Sequence, residues 1–119
     1  MAIGRLSFLT IDANDPERLS SFWSAMLDVE VEERMDGGRF VFLAASNDIV
    51  ISFQRVPEPK AGKNRVHLDV RVEDLDEATR AIRGLGGSWD GNEFTLDEAR
   101  WRTLTDPEGN EFDIYVSGA

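Results

Sequence analysis

His67 is the one histidine of the sequence, and Asp69 and Arg71 follow it at alternate positions. In a strand, alternate residues share a face, so imidazole, carboxylate and guanidinium would look the same way while Leu68, Val70 and Val72 pack beneath a helix. Imidazole with carboxylate is the donor chemistry of divalent metal sites and of proton transfer. A charged Asp–Arg pair beside it would either orient a polar ligand or form a solvated rim. Glu111, Asp113 and Tyr115 make a second alternating set, and Trp101, Thr103 and Thr105 a third. Indole and phenol beside a carboxylate suit a flat or cationic molecule, held by stacking and cation–π contact, unless Trp101 is core. The sequence has no cysteine, which leaves carboxylate, imidazole and amide as metal-ligand chemistry and removes a catalytic thiol. Gly84-Leu85-Gly86-Gly87 closes a helix where a phosphate-cradling loop would open one.

The elements that must position these residues come as a repeat. Phe8 and His67, Asp15 and Asp74, and Phe53 and Phe112 are each 59 residues apart. That offset also carries Gln54 onto Asp113. Two similar supersecondary units are implied, and a pseudo-twofold arrangement of them would turn Phe8, Gln54, His67 and Asp113 toward one cavity. Residues 3–12 read as a strand. Asp15 caps a helix that Pro16 and Glu17 open, with Leu19, Phe22, Trp23, Met26 and Leu27 on its apolar face. Strands are expected at 29–35, 39–44 and 49–55, separated by the turn residues Asp36-Gly37-Gly38 and Ser46-Asn47-Asp48. After a proline-bearing connection over 56–64, the pattern returns. A strand at 65–72 is followed by a helix capped by Asp74 and Glu77, with Leu75, Ala78, Ile82 and Leu85 as its stripe and Gly86-Gly87 as its stop. Strands near 87–94, 100–105 and 111–116 complete the unit. Trp23 reads as core and Trp89 as a partly exposed loop aromatic. A ferredoxin-like sandwich would also carry two helices on a sheet, but it has too few strands for these hairpins.

The chain has 119 residues, 41% hydrophobic and 30% charged, as suits one folded domain. Its 13 basic and 23 acidic residues give a formal charge of −10, which argues against nucleic acid and anionic membrane surfaces as partners. The N-terminal apolar stretch is too short for a signal peptide, no stretch is long enough to span a membrane, and a cytoplasmic location is the expectation.

With these residues in view, the chain resembles the vicinal oxygen chelate superfamily of glyoxalases, bleomycin- and fosfomycin-resistance proteins and extradiol dioxygenases. The resemblance runs through DPERLSSFWSAML, VHLDVRVEDLDEA and TDPEGNEFDIY, over nearly the whole chain, and is closest to small glyoxalase-like members. It implies an α+β fold of two tandem βαβββ modules, 1–56 and 64–119, forming a cupped mixed sheet with helices on its outer face, as one domain over 1–119. It also implies a divalent zinc, manganese, nickel or iron ion, although a metal-free protein remains open. By motif position the ligand slots fall on Phe8, Gln54, His67 and Asp113. Phe8 has no donor atom, and Asp113 is one methylene shorter than the glutamate of the pattern. The metal set is then His67, Gln54 and Asp113, with Asp113 or Glu111 as the candidate proton-transfer group and Phe8, Gln54, His67, Asp69, Arg71, Trp101 and Tyr115 as the ligand-binding lining. Three functions stay open: binding of a small, planar, neutral-to-cationic molecule without turnover; a metal-dependent lyase, isomerase or dioxygenase; and a non-catalytic scaffold. A homodimer is expected, because each unit leaves an open sheet face and edge.

Overall fold

The structure is a computed structural model that describes residues 2–118. The chain divides into two compact units, Met1–Pro59 and Lys60–Ala119, and the division falls inside the proline-bearing connection. Among the described residues each unit is a four-stranded mixed sheet with one α-helix packed on it.

The first unit runs β1 (Phe8–Ala13), α1 (Pro16–Leu27), β2 (Val31–Met35), β3 (Phe40–Leu43) and β4 (Val50–Arg55). Its strand order is β1-β4-β3-β2, with β1 parallel to β4 and the remaining pairs antiparallel. Asp15 caps α1 as expected, its Oδ1 accepting from Arg18 N at 3.1 Å. Leu19, Phe22 and Trp23 are buried with Val41, Leu43 and Phe53, each such side chain contributing about 1.5–3 kcal/mol by leaving water. The first strand is shorter than the expected 3–12. Its parallel partner begins only at Val50, because Asn47 and Asp48, at φ 53° and 64°, make a tight turn between Ser46 and Ile49, and the ladder ends with its partner.

The second unit repeats the order as β5 (Asp69–Arg71), α2 (Leu75–Gly84), β6 (Ser88–Leu96), β7 (Ala99–Thr105) and β8 (Glu111–Ser117), arranged β5-β8-β7-β6. Asp74 Oδ1 accepts from Glu77 N at 2.9 Å. The helix ends in a Schellman motif, with Gly87 N bonded to Ile82 O and Gly86 N to Arg83 O, and Gly86 at φ 103°. The second unit departs from expectation at three places. The expected strand 65–72 contracts to Asp69–Arg71, because Asn64 Nδ2 donates to Glu111 O at 3.3 Å and serves a carbonyl that a longer β5 would have used. Leu85 is exposed, and Thr79 takes the buried place in the α2 stripe. Trp89 lies in β6, not in a loop, with the Arg102 guanidinium 4.1 Å from its ring centroid. Between the expected strands near 87–94 and 100–105 lies a tight turn, Leu96 pairing with Ala99 around Asp97 at φ 52°.

The repeat is inexact in one respect that shapes the site. Ile11 pairs with Phe53 in the first unit, so the offset would pair Val70 with Phe112. Val70 instead pairs with Ile114. A slip of two residues keeps every side chain on its face. It sets Asp69, and not Arg71, opposite Asp113.

Candidate functional site

Asp69 and Asp113 face each other across the β5–β8 pair, and His67 reaches in just ahead of β5. Its Nε2 stands 3.3 Å from Asp69 Oδ1 and 3.4 Å from Asp113 Oδ2. One ligating atom from each of the three residues lies within 4.8 Å of the others. Donors around a divalent ion at about 2.1 Å are spaced roughly 3–4 Å apart, so this trio fits such an ion. Asp113 is the least exposed of the three, and Thr103 Oγ1 donates to its Oδ1 at 2.7 Å, which fixes the carboxylate and leaves Oδ2 toward His67.

These groups line a cavity of about 460 Å³ together with Ala99, Trp101 and Tyr115. Strand alternation places them. Trp101, Thr103, Asp113 and Tyr115 stand on one face of β7 and β8, whereas Arg102, Leu104, Phe112 and Ile114 are buried on the other. Phe94 stacks on Trp101, with centroids 5.7 Å apart and planes 23° from parallel, and so holds the indole in position.

Five of the sequence-derived site residues therefore meet in one unit: His67, Asp69, Trp101, Asp113 and Tyr115. Arg71 pairs with Tyr115 in register but is not among the residues lining the cavity. Phe8 and Gln54 belong to the first unit, Phe8 opposite Val50 and Gln54 opposite Asp12. Phe8 packs edge-on against Phe42 at 6.2 Å and borders a hollow of about 310 Å³ with Met35, Val50 and two glutamates. In the second unit the third donor beside His67 and Asp113 is Asp69, the place that motif position gave to Gln54.

Glu111 is drawn elsewhere. Lys63 Nζ donates to Oε2 at 2.9 Å, Lys60 Nζ to Oε1 at 3.0 Å, and Asn64 N also reaches Oε1. The lysine hydrogen bonds, Lys63 first, bring its carboxyl from the ordinary 4.5 down to about 2. An acid so weakly basic is ill matched to proton transfer near neutrality, so of the two candidates Asp113 is the one at the cavity.

Arg102 escaped the sequence reading. Its guanidinium donates to Glu93 at 3.0 Å, to Asp76 at 2.7 Å, to Leu75 O at 3.1 Å and to Thr79 Oγ1 at 2.8 Å, tying α2 to β6 and β7 beneath the site. The signal was present: Arg102 shares the inward face of β7 with Leu104, an apolar position that a charge occupies only with partners.

Comparison with known proteins agrees with this architecture. A family model described as a glyoxalase-like domain matches residues 8–115. No curated protein matches the sequence. Among solved structures, a glyoxalase/bleomycin resistance protein/dioxygenase family enzyme from Burkholderia phytofirmans PsJN is similar at 19% identity, covering 96% of this chain and 99% of that one, with a TM-score of 0.79. A glyoxalase/bleomycin resistance protein/dioxygenase from Nocardioides aligns at 15% identity over 100% and 88% of the two chains, TM-score 0.73. A mutant of the fosfomycin resistance protein FosX from Listeria monocytogenes, complexed with Mn(II) and dihydroxypropylphosphonic acid, aligns at 19% identity over 96% and 90%, TM-score 0.76. At these identities the likeness is one of fold.

Proposed function

The chain belongs to the glyoxalase-like domain family, and from that premise we propose that it binds a small, planar, neutral-to-cationic molecule in the cavity of its second unit. The observation that carries this reading is the opposition of Asp69 and Asp113 across β5 and β8 at the polar end of a cavity walled by Trp101 and Tyr115. Two carboxylates held face to face repel, and a cation between them relieves the repulsion. The indole and phenol supply flat surface for the rest of the ligand and add cation–π attraction. An anion would be desolvated beside like charge. Cationic aromatic compounds, including glycopeptide antibiotics of the bleomycin class, should raise thermal stability, whereas matched anionic compounds should not. Stabilisation by anions alone would overturn the reading, unless it is shown to arise in the first unit.

The spacing of His67, Asp69 and Asp113 favours a second reading, a metal-dependent lyase, isomerase or dioxygenase. These three residues would hold the ion, and a bound divalent metal supplies Lewis-acid polarisation of a ligand oxygen. Thr103 keeps Asp113 oriented, and Trp101 and Tyr115 seat the organic group. Elemental analysis of protein purified without chelators or a metal-affinity tag tests it. Near-stoichiometric metal that is lost in His67→Ala supports this reading; clean apo-protein that takes up no added manganese or zinc contradicts it. As one domain over both units, the protein is further expected to dimerise, which light scattering at micromolar concentration tests by a mass twice that of the monomer.

A further inference from the structure

Arg39 and Arg55 stand directly across from each other where the β3–β4 ladder ends. Phe40 faces Gln54 in register, and one step further Arg55 N donates to Arg39 O at 2.8 Å. Side chains so opposed have Cβ atoms about 5 Å apart, and like charges there are destabilising. Carboxylates are plentiful, with 23 acidic residues in the sequence. Yet the Arg55 guanidinium meets none among the described residues, and its Nη2 donates to Gly38 O at 3.2 Å. Arg39 has Asp36 Oδ2 at 3.6 Å, with both side chains more than half exposed. Arg34 and Arg102, by contrast, reach carboxylates at 2.6 and 2.7 Å. The facing arginines border a cavity of about 360 Å³ that Asn14, Val56 and Pro57 complete. Asn14 Nδ2 donates to Val56 O at 3.0 Å and Glu58 O at 2.9 Å, pinning the segment after β4 as a wall.

We propose that this cavity is an oxyanion site, in which one phosphate or carboxylate group of a small molecule bridges Arg39 and Arg55. A guanidinium presents parallel N–H donors that match two oxygens of such a group, and an anion between two forks turns their repulsion into attraction to a shared partner. The ligand is compact. Asp36 and the neighbouring Glu58 stand in the flanking segments, and the net charge of −10 opposes a long polyanion, although charges more than about 8 Å away are largely screened at physiological salt. This site lies wholly in the first unit and stands independently of the function proposed for the second.

The test is a titration of isotope-labelled protein with inorganic phosphate and, separately, with acetate, sodium chloride holding ionic strength constant. Backbone amide shifts and thermal melting are followed in the wild type, Arg55→Gln and Arg39→Gln. Saturable shifts centred on residues 38–40 and 54–57 are expected, with affinity falling at least about tenfold in either variant. A response to phosphate alone assigns a phosphoryl group, and an equal or stronger response to acetate a carboxylate. In buffer free of both anions, Arg55→Gln should melt at or above the wild-type temperature, because the facing repulsion is gone. Shifts that fail to saturate, or that persist unchanged in both variants, overturn the proposal. So does an Arg55→Gln protein that melts well below wild type without anion, which would make Arg55 a structural strut.

Discussion

Replacing Glu111 with glutamine removes the charge that fastens Lys60 and Lys63 to the start of β8. The two ammonium groups at 3.0 and 2.9 Å hold the carboxyl at about 2 instead of 4.5. At about 1.4 kcal/mol per pKa unit, that depression corresponds to about 3 kcal/mol of folding free energy. Lys63 is 77% exposed, so solvent screening reduces the expected contribution to about 1–2 kcal/mol. The folded carboxyl is depressed relative to the unfolded one. Its contribution is therefore complete above the unfolded value near 4.5 and is lost as pH falls through the folded value near 2. Urea unfolding of wild type and Glu111→Gln across this range isolates the effect from the many other acids. The gap between the two proteins should be about 1–2 kcal/mol at neutral pH and close progressively below pH 4.5. A gap of the same size at neutral pH and in strong acid would refute the assignment.

Arg102→Leu should lower stability by about 3 kcal/mol in urea unfolding, because Leu75 O, Thr79 and Glu93 lose a buried donor, and Arg102→Lys should not restore it; a loss within the scatter of surface substitutions contradicts this. Gly87→Ala would set a Cβ 2.5 Å from Ile82 Cγ2 and 2.8 Å from Thr105 O, so a melting study should show about 1–3 kcal/mol of destabilisation, with Gly84→Ala, whose Cβ meets nothing within 4 Å, as the benign control. Thr103→Val frees the Asp113 carboxylate, and any manganese or zinc affinity measured by calorimetry should fall about tenfold with the fold intact.

Much of this was legible in the sequence because it rests on local chemistry. Asp15 with Pro16 and Asp74 with Glu77 mark the starts of both helices and Gly86-Gly87 the end of α2, and two-residue alternation alone put His67 with Asp69 and Asp113 with Tyr115 on shared faces. What it did not reveal depends on contacts distant in sequence. The offset of 59 residues pairs Val70 with Phe112, and only the ladder shows the slip that makes Asp69 the partner of Asp113. Glu111 looked available because the lysines that occupy it lie in the irregular connection, some 50 positions earlier. Trp89 read as a loop aromatic because Asp90-Gly91-Asn92 follows it, whereas β6 carries its ladder across that irregular register to Leu96. In the first unit, the facing of Arg39 and Arg55 follows from a hairpin register that composition does not encode.

The charge selection among flat molecules proposed for the second unit's cavity is open to direct measurement. One aromatic scaffold, prepared as an ammonium and as a sulfonate, should be titrated into wild type and Trp101→Leu and followed by tryptophan fluorescence. Trp101 is the reporter at the cavity; Trp23 is buried on the inner face of α1, and Trp89 lies beneath two arginines. Saturable quenching by the ammonium form is expected, at least about tenfold tighter than by the sulfonate, with most of that quench lost in Trp101→Leu. Equal affinity for the two forms, or a quench that survives the removal of Trp101, would contradict it.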